Sequence, residues 1–222
     1  MKTWPMVCAI GATLSLAAVS AQADPVNFDR APLLIPFNVG TGNSNTNFAI
    51  TRNADQSEYI ELGIKAKQRF IGDADVGGSG TTYIVPRGFS QNDPLGQPAG
   101  AWWNFDYSVD LGGRSLANTI VFLRIFFNGL LVQDLNSDQF IALGQASSTD
   151  QVLQGSENIN WLGLDPNALG TYTFELEARE KTGGPIQPFI AGVTMQTIVV
   201  PLPTTAGMAF AGLGLMAARR RR

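Results

Sequence analysis

The sequence predicts an all-β fold: a single antiparallel β-sandwich, immunoglobulin-like or jelly-roll-like. Three observations predict it. Short segments of alternating apolar and polar residues recur along the chain, 24 glycines and 12 prolines punctuate its 222 residues, and no window of the body sustains a helical period. The only helices expected are an N-terminal signal helix and a short apolar helix near the C-terminus.

The first element is Met1 to Ala23. It carries Lys2, an apolar region from about Val7 to Val19, and Ala21-Gln22-Ala23 before Asp24. A positive start, a short apolar core and an A-x-A site make a secretory signal peptide, cut after Ala23. The Sec translocon and signal peptidase are the partners this implies. Cys8 is the only cysteine and lies inside this segment without a small-residue lipobox, so the exported chain contains neither cysteine nor histidine. No disulfide framework can hold it. The fold must rest on a core.

Strand candidates follow in order. Leu33 to Phe37 and Asn47 to Thr51 come first. Tyr59 to Ile71 is the clearest: Ile60, Leu62, Ile64, Ala66 and Phe70 point one way, and Glu61, Lys65, Lys67 and Arg69 point the other, toward solvent. Thr82 to Val85 is short. In the next strand Trp103, Phe105, Tyr107, Val109 and Leu111 alternate with Asn104, Asp106, Ser108 and Asp110. Thr119 to Phe127 is nearly all apolar, as in a strand buried on both faces. Leu130 to Leu135, Thr171 to Arg179 and Ala191 to Val200 complete the set. Turns are expected at Asp73 to Gly80, Asn92-Asp93-Pro94, Gly112-Gly113, Asn136-Ser137-Asp138 and Thr182 to Pro185.

Asp165 to Phe174 places a turn, a glycine and Tyr172 just before an alternating strand. This segment resembles the tyrosine corner of immunoglobulin-like domains, in which the phenol bonds back to upstream backbone. Tyr172, Phe174, Leu176 and Ala178 are expected inward, and Glu175, Glu177 and Arg179 outward.

Composition narrows the chemistry. Ten basic residues stand against 18 acidic ones once Lys2 and the four terminal arginines are set aside, so the body carries about −8. That balance argues against nucleic acid as a partner. Without histidine or cysteine, Ser-His-Asp and Cys-His catalysis and histidine-based metal sites are excluded. Carboxylate chemistry is what remains. Asp106 and Asp110 share a strand face about 13 Å apart, long for a retaining pair, so that another strand would have to supply the partner; they read as solvated carboxylates. No catalysis is expected.

Two binding readings remain. Asp73-Ala74-Asp75 before Gly77-Gly78 offers alternating carboxylates for calcium, with Asp73 and Asp75 as ligands, although it lacks the later Glu of an EF-hand loop. An ordinary Asp- and Gly-rich turn has the same composition. Trp102 is the solvent-side member of the Trp102-Trp103 pair, and beside Asn104, Asp106 and Arg87 it is a candidate to stack a sugar ring, with Trp161 as a second platform. The glycan of an extracellular polysaccharide is the ligand considered. A tryptophan covering a sheet edge is the plain alternative.

The chain closes on Val200-Pro201-Leu202-Pro203, the uncharged run Thr204 to Ala218, and the basic cluster Arg219, Arg220, Arg221 and Arg222. As a helix the run spans roughly 22 Å, short of the about 30 Å hydrocarbon core. The terminal arginines would stay on the cytoplasmic side, and Pro201 and Pro203 keep the motif extended. This arrangement resembles the PEP-CTERM class of sorting signals, in the variant whose motif begins Val-Pro-Leu-Pro. It departs in having Thr204 where alanine is commonest. The resemblance implies an exosortase as partner, a transient inner-membrane stage, cleavage near the prolines, and delivery to the cell surface, outer envelope or extracellular matrix.

The domain plan is therefore a signal peptide over 1–23, a β-sandwich over 24–199 and a sorting signal over 200–222. Over most of its length the body also resembles a group of small surface proteins with the same tail. Tyr59 to Lys67, Trp103 to Val109 and Asp165 to Leu176 carry that resemblance. The group has no assigned activity, so a structural or adhesive role is expected, with glycan binding as the alternative.

Overall fold

The computed structural model describes residues 26–39, 44–53, 59–69, 72–73, 79–90, 100–184 and 187–201. In chain order the elements are β1 (Val26–Ala31), β2 (Phe48–Arg52), β3 (Glu61–Gln68), β4 (Gly72–Asp73), β5 (Thr82–Pro86), β6 (Phe89–Ser90) and β7 (Gly100–Ala101). They continue with β8 (Trp103–Asp110), β9 (Thr119–Phe127), β10 (Leu130–Asn136), helix α1 (Ser137–Ala142), β11 (Val152–Asn158), a 3-10 turn (Ile159–Leu162), β12 (Gly170–Glu180) and β13 (Phe189–Val200). The fold is an all-β sandwich. One sheet runs β1-β2-β3-β8-β11 with β4 beside β3, the other runs β10-β9-β12-β13-β5, and β6 and β7 form a small ladder. The pairings are antiparallel except for β13 with β5.

The alternation read from the sequence builds the core. Ile60, Leu62, Ile64 and Ala66 join Trp103, Phe105, Tyr107 and Val109 from the first sheet. They meet Val121, Leu123, Ile125, Tyr172, Phe174, Leu176, Val193 and Met195 from the second. Aromatic contacts bridge the layers: Phe105 lies 4.8 Å from Phe174, and Trp103 meets the same ring edge-on at 6.2 Å. Such pairs add about 0.5–1.5 kcal/mol each beyond their area burial.

The outer face of the first sheet corrects the sequence reading. Glu61, Lys65, Lys67 and Arg69 on β3 and its end, and Asn104, Asp106 and Ser108 on β8, are buried rather than solvated. Residues 32–39 and 44–47 lie across that face. Leu33 and Phe37 pack with Phe48 and Ile50 in a second apolar cluster, so Leu33 to Phe37 is a cover, not a strand. Polar side chains beneath hold it down. Glu61 Oε1 accepts from Leu34 N at 2.9 Å, Arg52 Nη2 donates to Pro32 O at 2.7 Å, and Lys65 Nζ donates to Ser44 O at 2.7 Å. Gly63 makes room for the cover, because a Cβ there would fall 2.5 Å from Leu33 Cδ2.

The second sheet is the reverse case. The sequence reads β9 as covered on both faces, yet Phe122, Arg124 and Phe126 are half-exposed while Val121, Leu123 and Ile125 face the core. Its hairpin to β10 turns through Asn128 and Gly129, both at positive φ (49° and 83°), as a type I′ turn requires. Asn136-Ser137-Asp138 is not a turn between strands. Asn136 caps α1, accepting from Gln139 N, while Gln139 Oε1 accepts from Asn136 N, a reciprocal capping box. β1 and β11 are strands that the sequence pattern does not announce.

Candidate functional site

One end of the sandwich gathers both candidate tryptophans, and backbone bonds fix its shape. Arg69 N donates to Trp102 O at 2.8 Å, Trp102 N to Gly88 O at 3.0 Å, and Gly88 N to Pro166 O at 2.8 Å. Gly88 takes φ 106°, and a Cβ on it would lie 3.4 Å from Trp102 Cδ1. Asn158, fully buried, braces the same end. Its Oδ1 accepts from Ala101 N at 2.8 Å, and its Nδ2 donates to Ala101 O at 3.0 Å and Asn104 Oδ1 at 2.7 Å. Directly after it the 3-10 turn carries Trp161, 44% exposed. The Arg69 guanidinium carbon lies 5.6 Å from the Trp161 ring centre, within cation–π range.

Arg69 thus links the two tryptophans, but the surroundings differ from those expected. Trp102 is half-buried and Trp103 is fully buried in the core. Of the polar partners expected beside Trp102, only Arg87 is exposed. Asn104 is buried and bonded by Asn158, and Asp106 is fully buried on the covered face. The open platform at this end is Trp161.

Asp106 and Asp110 do not act alike. Asp110 is half-buried, and its Oδ1 accepts from Gly112 N at 2.9 Å, closing the turn after β8. Asp106 is not a solvated carboxylate. Burial pushes its carboxyl above the usual range, with Lys67 and, less strongly, Ser156 pulling the other way. Lys67 Nζ stands 3.5 Å from its Oδ1. Glu157, on the edge strand β11, is also pushed up by burial.

Tyr172 stands near the start of β12. It is 2% exposed, and its hydroxyl lies 3.4 Å from Asp165 O, a long bond back to upstream backbone. Burial, then the charge of Asp165, pushes the phenol up to about 12. Asp73 belongs to β4, opposite Lys67 in the ladder, and Asp75 lies outside the described residues. Among the described residues no group of three or more His, Cys, Asp or Glu is placed to hold a metal ion.

The terminal signals fall mostly outside the described residues. Ala21, Ala23 and Asp24 do so at the front, and Leu202, Pro203, Arg219, Arg220, Arg221 and Arg222 at the end. Val200 and Pro201 are described. Val200 is the last residue of β13 and its carbonyl accepts from Arg87 N at 2.9 Å, while Pro201 is exposed. Among the described residues no helix is long and apolar enough to cross a membrane. No protein-family model matches the chain, and a search of curated proteins finds no match either.

Proposed function

We propose that this chain is an exported cell-surface or extracellular-matrix protein, sorted and processed by an exosortase, with a structural or adhesive role and no catalysis. The position of the motif carries this reading. The β13–β5 ladder runs to Val200 opposite Pro86, and Val200-Pro201-Leu202-Pro203 begins at that last paired residue. A cut near Pro203 leaves every described strand whole. A proline-bearing sequence directly after the last described strand suits an enzyme that must bind the chain before cutting it.

The strand order favours the immunoglobulin-like over the jelly-roll kind. The order β10-β9-β12-β13 matches strands C′, C, F and G, and β3-β8-β11 matches A, B and E. Tyr172 lies at the start of β12, where strand F carries its corner. Such domains bind and connect through loops and faces, so the fold is compatible with an adhesive role without specifying one. The test is to scramble residues 200–203 and follow the protein by surface fractionation. Retention in the inner membrane is expected, and unchanged surface delivery overturns the reading.

A second reading is favoured by Trp161, an exposed ring backed by Arg69: glycan binding in an exopolysaccharide matrix. Trp161→Ala should abolish retention on immobilised exopolysaccharide from the host. Retention equal to that of the unsubstituted protein removes this reading.

A further inference from the structure

The covered face of the first sheet holds a lysine and a carboxylate in contact and away from water. The Lys67 and Asp106 side chains are 10% and 0% exposed, with Nζ 3.5 Å from Oδ1. They are diagonal neighbours on adjacent strands: Lys65 stands opposite Asp106, and Lys67 opposite Asn104. Ser156 is the ladder partner of Asp106 on the other side, yet neither carboxylate oxygen makes a hydrogen bond of normal geometry among the described residues. Buried polar groups are nearly always satisfied, and a charge-assisted N–H···O bond spans about 2.7–2.9 Å. Asp106 is close enough to Lys67 to react and poorly satisfied as an ion.

We propose that Lys67 and Asp106 condense into an intramolecular amide that ties β3 to β8. Moving one proton from Nζ to a carboxylate oxygen converts two buried charges into a neutral amine and a neutral acid, the forms that a low-dielectric site favours. Lys65, fully buried opposite Asp106 with its Nζ donating to Ser44 O, supplies a neighbouring positive charge. That charge polarises the Asp106 carbonyl; together with Lys67 it favours the ionised carboxyl, and burial outweighs both.

The lone pair of Nζ adds to Cγ, an N–H proton passes to the hydroxyl oxygen, the Cγ–O bond breaks and water leaves. One C–N bond forms, one C–O bond breaks, and nothing is oxidised or reduced. Two features of the fold favour the step. Well-oriented groups within one molecule reach effective molarities of about 10⁵–10⁸ M, and the segment over this face limits the water that would hydrolyse the product. The amide also removes the unsatisfied carboxylate. With Cys8 its single cysteine, the chain has no disulfide of its own to serve as a cross-link.

The test is mass spectrometry of the purified, denatured full-length protein with a tryptic map. The whole population should be lighter than its sequence by one water, trypsin should fail to cut after Lys67, and a branched peptide should join the Lys67 and Asp106 segments. Lys67→Arg should restore the full mass. A mass equal to that of the sequence, or a water loss mapped to other residues, overturns the proposal.

Discussion

Tyr107 takes the space over Gly155: a Cβ built on that glycine would lie 2.3 Å from Tyr107 Cζ. The two residues are direct partners in the β8–β11 ladder, on the side that faces the core. Gly155 is therefore the seat of a ring that is only 4% exposed. Gly155→Ala must displace that ring from a packed core, at a cost of about 1–3 kcal/mol. Urea unfolding should show a lower midpoint, and an unchanged midpoint would mean the ring has another place to go.

Asn158, the last residue of β11, ties β7 to the start of β8 through its side chain. It satisfies both backbone groups of Ala101 and reaches Asn104. Asn158→Ala leaves these buried partners unmatched and should cost about 2–3 kcal/mol, within the range for orphaned buried groups. Trp161 follows at the next turn, so its fluorescence should also change in the folded variant. Unaltered stability would show that water replaces the amide.

Tyr172 gives a prediction at alkaline pH. Its folded pKa lies above that of a free tyrosine, so the folded state holds the phenolic proton more tightly than the unfolded chain does. The resulting stability is present below about pH 10 and is lost as pH rises from there to about 12. Tyr59 and Tyr107 are raised too, again chiefly by burial, and steepen the same loss. Tyr172→Phe should lose less stability between pH 10 and 12 than the unsubstituted protein, and at neutral pH it should cost no more than about 1 kcal/mol for its long bond. Equal alkaline slopes for the two proteins would contradict this.

Glu157 acts at the acid end. Burial raises its pKa in the folded state, so its contribution is most favourable below the unfolded carboxylate pKa and is lost as pH rises through the folded value. Glu157→Gln should raise the melting temperature at pH 7 and leave it nearly unchanged at pH 3. A lower melting temperature at pH 7 would show that the charge is needed there.

Which residues share a face is legible in the sequence: β3, β8, β12 and β13 follow from alternation alone. Alternation cannot say what covers a face, because the cover comes from distant chain. Lys65 and Asp106 read as solvated because nothing near them in sequence announces residues 32–39 and 44–47, which lie across their face, Ser44 and Thr46 capping the Lys65 ammonium. β11 escapes because Val152 to Asn158 is polar and carries Gly155; its partner β8 makes it a strand. Asn128-Gly129 and the Asn136–Gln139 capping box are local signals that the strand pattern on either side obscures. At the candidate site, the two tryptophans and Arg87 can be named from sequence. The bracing role of Asn158 and the stacking of Arg69 cannot, since both depend on residues brought together by the sheet.

The most direct test of the sorting reading is the intact mass of the protein from its native host, separated into membrane, surface, matrix and medium fractions. The account predicts surface or matrix material that begins at Asp24 and ends near Pro203. Protein that still carries Arg222 and is found only in the membrane fraction would contradict it.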